Sequence, residues 1–138
     1  MPTPFTHRLR VRYAECDAQS IVFNANWLTY FDVVNTELWR ELAGGYEAVR
    51  REHGVETVVA ETGLRFRGAA RFDDVLDFTA VVARIGKSSM RMEIAATRES
   101  DLLVEGFLEY VFVDRKRFRP APIPDAIREA LEAVSPPD

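Results

Sequence analysis

Hydrophobic and polar residues alternate strictly near the start of the chain. One side of the alternation is formed by Phe5, His7, Leu9, Val11 and Tyr13. A threonine and three arginines occupy the positions between them. A period of two residues is typical of a strand with one buried face. We therefore predict a strand over residues 5–13 whose outer face is basic.

The next hydrophobic stretch has the period of a helix. Apolar residues recur three or four positions apart at Trp27, Phe31, Val34, Leu38 and Leu42. Such spacing forms one wide apolar stripe along a helix, so we expect this helix to be the central, largely covered element. Asn24 or Asn26 is expected to cap its start, and Gly44-Gly45 to end it.

The rest of the chain predicts two shorter helices and four strands. The first short helix covers residues 46–53, and the second covers 125–134 before a frayed tail at 135–138. Clusters of β-branched and aromatic residues between turn signals predict strands over residues 57–66, 75–85, 89–98 and 102–114. Because the connections between these strands are short, we expect neighbouring strands to form antiparallel hairpins.

This order of elements indicates an α+β fold in a single domain, residues 1–138. A curved antiparallel sheet can wrap one central helix in such a domain. A single layer of this kind leaves the sheet edges open and part of the helix uncovered. Association into a dimer would cover both surfaces.

Composition excludes several kinds of protein and site. The 138 residues contain one cysteine, which cannot form an intramolecular disulfide or a CxxC metal site, and this favours a reducing, cytoplasmic setting. The formal net charge of −4 gives no bulk attraction to nucleic acid or anionic lipid. No apolar run approaches membrane-spanning length. We therefore predict neither a nucleic-acid nor a membrane partner.

Asp17 is the candidate for catalysis, because it lies in a loop that leads into the long helix. Backbone N–H groups at a helix start are unpaired, so an acid and oxyanion donors can converge there on one carbonyl. From the residues alone two roles stay open for Asp17: a loop acid that turns the chain or caps the helix, or a nucleophile or general base. Its neighbour Cys16 is interpreted as a packing residue, and Glu15 as a surface or pairing charge.

Two basic segments carry further candidate chemistry. Gly86-Lys87-Ser88-Ser89 is predicted to be a hairpin turn, and its lysine and hydroxyls could also hold a phosphate. Arg115-Lys116-Arg117 with Arg119 forms a dense patch that is typical of a solvated surface. The sequence has no G-x-S-x-G elbow, Walker loop or H-E-x-x-H motif.

The region around Asp17 resembles the signature of the hotdog-fold thioesterases of the 4-hydroxybenzoyl-CoA thioesterase family. The matching segments are, in order, Arg10-Val11, Cys16-Asp17, Ile21-Val22-Phe23 and Asn26-Trp27. Farther on, the sequence Ala-Arg-Phe-Asp-Asp-Val-Leu at 70–76 looks like the "Tyr/Phe-Asp-Asp-x-Leu" pattern with which this family begins a sheet strand.

The resemblance implies a five-stranded antiparallel sheet wrapped around the long helix, and a homodimer or homotetramer with active sites at the dimer interface. It implies hydrolysis of an acyl- or aroyl-CoA thioester to a carboxylate and free CoA, without a metal or other cofactor. Asp17 takes the place of the catalytic carboxylate, which attacks the thioester carbonyl or activates water. The backbone N–H of Asn24 takes the place of the oxyanion donor. Lys87 and Ser88 correspond to the turn that contacts the nucleotide of CoA.

The sequence departs from the family pattern at two places. The family often has glycine at one of the positions of Gln19 and Ser20, and one large branch has histidine at the position of Asn24. These departures leave two alternatives open. One is an acyl-carrier-protein thioesterase, whose acidic partner would meet the patch at 115–119. The other is a non-catalytic acyl-CoA-binding subunit.

Overall fold

The computed structural model describes residues 3–136, which fold into five strands and three helices. The strands are β1 (Phe5–Arg10), β2 (Val55–Phe66), β3 (Val75–Ile85), β4 (Ser89–Arg98) and β5 (Asp101–Asp114). The helices are α1 (Asn26–Ala43), α2 (Tyr46–His53) and α3 (Asp125–Glu132). The end of the predicted frayed tail, residues 137–138, lies outside the described residues.

The five strands form one antiparallel sheet in the order β1-β3-β4-β5-β2. The predicted hairpins β3–β4 and β4–β5 are confirmed. The expectation that β2 pairs with β3 is wrong, because β2 pairs along its length with β5. Where β2 ends, the N–H groups of Arg67 and Gly68 donate to the carbonyl of Leu103 at 2.7 and 3.0 Å. These bonds keep the chain on β5 before it crosses the sheet to begin β3.

The helix α1 is the central, largely covered element that its apolar stripe predicts. Its buried residues are Trp27, Tyr30, Phe31, Val34, Asn35, Leu38 and Trp39. A close approach to the sheet is possible because Gly106 has no side chain: a Cβ there would lie 2.9 Å from the Phe31 ring. The predicted helix end is confirmed, since Gly44 takes a φ of 81° as its C-cap. None of the helices within residues 3–136 is both long and apolar enough to cross a membrane.

β1 is shorter than predicted and ends at Arg10. Val11 is buried, and its backbone bonds to the segment before β3, donating to the carbonyl of Asp74 at 2.8 Å and accepting from the N–H of Asp73 at 3.0 Å. The chain then makes a 3₁₀ turn, Tyr13–Glu15. This turn carries Tyr13 out of the buried face that the alternation gave it.

Candidate active site

Residues 15–23 form a narrow hairpin that carries Asp17, and we refer to it as the Asp17 loop. Cys16 and Val22 pair as an isolated antiparallel bridge. The N–H of Asp17 donates to the carbonyl of Ile21 at 2.9 Å. The backbone on both sides of the candidate acid is therefore hydrogen-bonded across the loop.

The side chain of Asp17 is oriented by its own loop. One carboxylate oxygen accepts the N–H of Gln19 at 2.8 Å, and the backbone carbonyl accepts the N–H of Ser20 at 2.9 Å. The other carboxylate oxygen forms no hydrogen bond within residues 3–136. The turn thus fixes the carboxyl group and leaves one oxygen free to react.

Ser20 adopts a left-handed backbone conformation, with a φ of 66°. The tight turn after Asp17 followed by a left-handed residue is the arrangement of a three-residue hairpin loop, in which that residue is most often glycine. The related family often has glycine at the position of Gln19 or of Ser20. Because Ser20 has the left-handed conformation, it is the position at which the backbone favours glycine. In this chain the loop closes with serine at that position.

Asp17 lies in the wall of a cavity of about 400 Å³. The other lining residues are Tyr13, Ala14, Cys16, Ser20 and Phe72. Tyr13 and Phe72 form an edge-to-face pair with ring centroids 5.7 Å apart, although 78% and 56% of their surfaces are exposed. The sequence does not predict this aromatic pair, because the alternation assigns Tyr13 to the buried face of β1. The Arg12-x-x-Glu15 spacing, which permits a capped turn, is the signal that could have ended the strand earlier.

The start of α1 supplies an unpaired backbone donor. The N-cap residue is Ala25 and no side chain caps the helix, so the expected cap from Asn24 or Asn26 is wrong. The first N–H groups are satisfied by a tight turn instead: those of Asn26 and Trp27 donate to the carbonyls of Phe23 and Asn24 at 2.9 and 3.2 Å. Asn24 is exposed, and its N–H has no hydrogen-bond partner in the part of the chain that the structure describes.

Lys87 and Ser88 are not brought to Asp17 within one chain. They form the turn that follows β3, whereas the Asp17 loop is tied to the segment before β3 by the bond from the N–H of Val22 to the carbonyl of Ala70, 2.9 Å long. Because a strand rises about 3.3 Å per residue, the length of β3 puts about 30 Å between the two places.

The basic patch at 115–119 lies at the same end of the sheet as Lys87. The N–H of Phe112, near the end of β5, donates to the carbonyl of Ser88 at 2.7 Å. Asp114 holds the patch in shape, because its carboxylate accepts the N–H groups of Lys116 and Arg117 at 2.8 and 3.0 Å. These backbone bonds hold the pKa of Asp114 below its ordinary value.

Five cations at this end of the sheet form no ion pair with another residue of 3–136, although Arg84 nearby pairs with Glu109. Most arginines of the protein form ion pairs, among them Arg8 with Asp77 and Arg98 with Asp74. Within residues 3–136, no ion pair involves Lys87, Arg115, Lys116, Arg117 or Arg119. We call this set of unpaired cations the basic end.

Comparison with known proteins identifies the family. Residues 19–105, more than half of the chain, match the family model described as Thioesterase superfamily. The chain belongs to the thioesterase superfamily. This thioesterase is 28% identical over 126 residues to the protein named Acyl-CoA thioester hydrolase YbgC from Escherichia coli O6:H1, covering 91% of this chain and 93% of that protein. It is 25% identical over 127 residues to Acyl-CoA thioesterase YbgC from Haemophilus influenzae, with coverages of 92% and 93%.

Solved structures confirm the predicted hotdog fold of the thioesterase. A hypothetical protein from Thermus thermophilus is 30% identical and superposes with a TM-score of 0.83, over 94% of this chain and 98% of that one. A thioesterase superfamily structure from Jannaschia sp. CCS1 superposes with a TM-score of 0.90 at 20% identity, over 97% and 94% of the two chains. With the named relatives and the family match, the enzyme class is thioester hydrolase.

Proposed function

We propose that this thioesterase hydrolyses an acyl- or aroyl-CoA thioester to the carboxylate and free CoA. Asp17 is the catalytic carboxylate and the backbone N–H of Asn24 is the oxyanion donor. The observation that carries the proposal is the Asp17 loop, which turns a carboxylate with one free oxygen into a cavity and leads directly to an unpaired N–H at the start of α1. The names of the YbgC relatives support the CoA substrate.

Two routes use this geometry. In the first, the free oxygen of Asp17 attacks the thioester carbon, CoA leaves as its thiolate, and water hydrolyses the resulting anhydride. In the second, Asp17 takes a proton from the water that attacks the thioester carbon, the C–S bond breaks, and CoA leaves as its thiolate. Both routes place negative charge on the thioester oxygen, and a fixed N–H donor stabilises that charge more strongly in the transition state than in the substrate.

Asp17→Asn tests the proposal, since asparagine keeps the size of the side chain and can still accept the N–H of Gln19. Loss of a general base costs on the order of 10²–10⁴ in rate, and loss of a nucleophile can cost more. The measurement is kcat/KM on the best substrate from a screen of short, long and aromatic acyl-CoAs, with thermal melting to confirm the fold. Asp101→Asn, a change at the exposed first residue of β5, is the matched control and should keep full activity.

Retention of more than about a third of the activity in Asp17→Asn would reject Asp17 as the catalytic group. A loss of less than about threefold is far smaller than the expected loss of about 10²–10⁴. Binding of several acyl-CoAs with turnover of none would instead favour the alternative of a non-catalytic subunit.

We also propose that the active unit is a homodimer formed through β2. This strand is an open edge of 12 residues, on which Val59 and Phe66 are 52% and 54% exposed. A long open edge strand with exposed apolar side chains is a surface that can pair with another strand. Two copies related by a two-fold axis would align their β2 strands antiparallel.

The direction of β2 gives this dimer a functional consequence. β2 begins opposite Asp114 at the basic end and finishes at the opposite end of the sheet, where the Asp17 loop lies. Antiparallel pairing would therefore place the basic end of one copy on the same side of the joined sheet as the Asp17 loop of the other. In this arrangement Lys87 and Ser88 serve the CoA nucleotide of the other copy's site, and a second dimer in a homotetramer is the alternative source of such contacts.

A second candidate substrate is an acyl-carrier-protein thioester, and the basic end is the observation that favours it. Arg115 and Arg117 are exposed and unpaired, and Phe118 between Arg117 and Arg119 is 62% exposed. Unpaired cations around an exposed aromatic residue suit an acidic protein surface. Arg115→Glu with Arg117→Glu should then lower kcat/KM for the carrier-protein thioester more than for the CoA thioester. An equal effect on the two substrates would argue for CoA alone.

A further inference from the structure

Glu15 is a second carboxylate beside the candidate acid, and the proposed chemistry does not use it. Of its two expected roles, surface charge or pairing charge, it has the second: it forms an ion pair with Arg12, and only 12% of its side chain is exposed. The carboxylate accepts the N–H of Arg12 at 2.7 Å and two guanidinium bonds from the same residue at 2.9 and 2.7 Å. It also accepts the hydroxyl of Tyr30 at 2.8 Å. A carboxylate with this many charge-assisted bonds is held in one orientation.

Tyr30 connects Glu15 to the rigid core. The tyrosine is 2% exposed, and its ring packs edge-to-face against Trp27 and Phe78 with centroid distances of 5.4 and 6.0 Å. A ring held by packing on two sides cannot easily move its hydroxyl. The hydroxyl therefore holds the Glu15 carboxylate in a fixed position relative to α1.

The backbone carbonyl of Glu15 connects this hydrogen-bond network to the candidate site. It accepts the N–H of Phe23 at 3.0 Å and the side-chain amide of Asn26 at 2.8 Å. Phe23 directly precedes Asn24, and Glu15 stands two residues before Asp17. One oxygen atom thus joins the two arms of the Asp17 loop where the loop meets the helix.

We propose that Glu15, Tyr30 and Asn26 form a positioning unit for the reaction. The unit sets the Asp17 carboxylate relative to the N–H of Asn24, so it rests on the roles proposed for those two residues. None of its members needs to touch the substrate. Its effect is on the geometry of the reacting groups, to which rates are very sensitive: a displacement of about 1 Å can cost about 10²-fold.

Tyr30→Phe is the primary variant, because it removes one hydroxyl and leaves the packed ring in place. We expect kcat to fall by about 10- to 100-fold, with KM within about twofold of the wild-type value, because misplacement affects the transition state more than substrate binding. Glu15→Gln should act in the same direction. The double variant should be little worse than the poorer single variant, since both changes break the same network.

Tyr46→Phe is the matched control. The Tyr46 hydroxyl accepts the amide of Asn35 at 2.6 Å, so this variant also removes a partly buried hydroxyl bond to α1, but one that lies away from the Asp17 loop. We expect it to lower stability by about as much as Tyr30→Phe and to leave kcat unchanged. An equal loss of kcat in both variants would show a general structural effect and would overturn the proposal.

Amide hydrogen exchange tests the positioning without reference to activity. In Tyr30→Phe and in Glu15→Gln, the N–H of Phe23 should exchange at least about tenfold faster than in the wild type, and in Tyr46→Phe it should not change. Unchanged exchange at Phe23 in the two site variants overturns the positioning unit, whatever their rates. The Asp17→Asn assay decides the proposed catalytic role separately, so failure of the two proposals can be told apart.

Discussion

The Asp17 loop requires a left-handed backbone conformation at one residue, Ser20, whose φ is 66°. A left-handed conformation costs a residue with a Cβ about 1–2 kcal/mol, whereas glycine adopts it freely. The hairpin closes nonetheless, because the N–H of Asp17 donates to the carbonyl of Ile21 and the carbonyl of Asp17 accepts the N–H of Ser20. The turn that strains the backbone of Ser20 is therefore the same turn that orients the Asp17 carboxylate.

Ser20→Gly should stabilise the protein. Relief of the left-handed strain outweighs the extra freedom of glycine in the unfolded chain, and we expect a gain of about 0.5–1 kcal/mol in the free energy of unfolding by urea titration. Ala18→Gly in the same loop is the control. Ala18 does not have a positive φ, so glycine there should cost stability instead of adding it. If neither variant is more stable than the wild type, the backbone of Ser20 is not strained.

Phe72 is expected to contact the apolar part of the substrate, because its exposed ring forms the cavity wall with Tyr13. Phe72→Ala should lower kcat/KM by about 5- to 30-fold for long or aromatic acyl groups, since a buried aromatic contact contributes roughly 1–2 kcal/mol. The loss should be smaller for acetyl-CoA, and the melting temperature should change little. Phe118→Ala, at the basic end, is the exposed-aromatic control, and its effect should not depend on the acyl group. Equal losses for every acyl length would remove Phe72 from the acyl site.

At the level of single residues, the sequence predicts those parts of the site that neighbours in the chain create. Asp17 and Asn24 belong to one hairpin and helix start, so a local pattern can locate both. Glu15 could be predicted as a paired charge, but its bond to Tyr30 depends on how α1 folds back over the loop. The exposure of Tyr13 depends on the end of β1, which a long-range bond to Asp74 determines.

At the level of helices and strands, local signals locate most boundaries. Gly44 and Gly54 end α1 and α2 in left-handed conformations, as their positions in the sequence predict. The pairing of β2 could not be read in the same way. A short connection favours a hairpin, whereas the actual pairing depends on contacts between residues far apart, such as Gly63 opposite Phe107.

The link between the 3₁₀ turn and α1 should respond to pH through Glu15. Burial disfavours its charge, but the bonds from Arg12 and Tyr30 outweigh burial and hold the pKa of Glu15 below its ordinary value of 4.5. A carboxyl with a lower pKa in the folded state stabilises the protein above its unfolded pKa. That contribution is lost as the pH falls below about 4.5 and through the lower folded pKa.

Unfolding by urea at pH 7, 5, 4 and 3 checks this expectation. The stability difference between wild type and Glu15→Gln should be largest at pH 7 and 5 and should shrink toward pH 3. Other carboxyls, such as Asp74, also have lowered pKa values, but they are present in both proteins and cancel in the difference. A difference that is constant over this range would show that Glu15 titrates alike in the folded and unfolded chains.

For the whole molecule, the fold could be predicted from the sequence, but the relation of Lys87 to the site could not. The resemblance places Lys87 beside the CoA nucleotide, and the topology places it about 30 Å from the Asp17 loop of its own chain, as the rise per residue of β3 requires. The dimer proposed above would reconcile these placements. The cytoplasmic location and the single-domain extent stay predictions.

Subunit mixing tests whether Lys87 acts across the dimer. Lys87→Ala alone should raise KM for an acyl-CoA and leave kcat nearly unchanged, because a distant phosphate contact contributes uniform binding. If Lys87 serves the other copy, a mixed dimer of Asp17→Asn and Lys87→Ala contains one site with both native residues, and this site should show the wild-type KM. If Lys87 serves its own chain, the mixture keeps the raised KM.

The strand order also constrains how the chain is made. β5 is the last strand to be synthesised, yet it lies between β4 and β2, so the sheet cannot close until about residue 114 has left the ribosome. Until then β2 lacks its neighbour in the sheet, and the aromatic face of α1 is only partly covered. Such exposed edges and apolar surfaces are prone to aggregation and are what chaperones bind. A chain that stops before β5 should therefore be cleared by the cell rather than accumulate as a smaller folded unit.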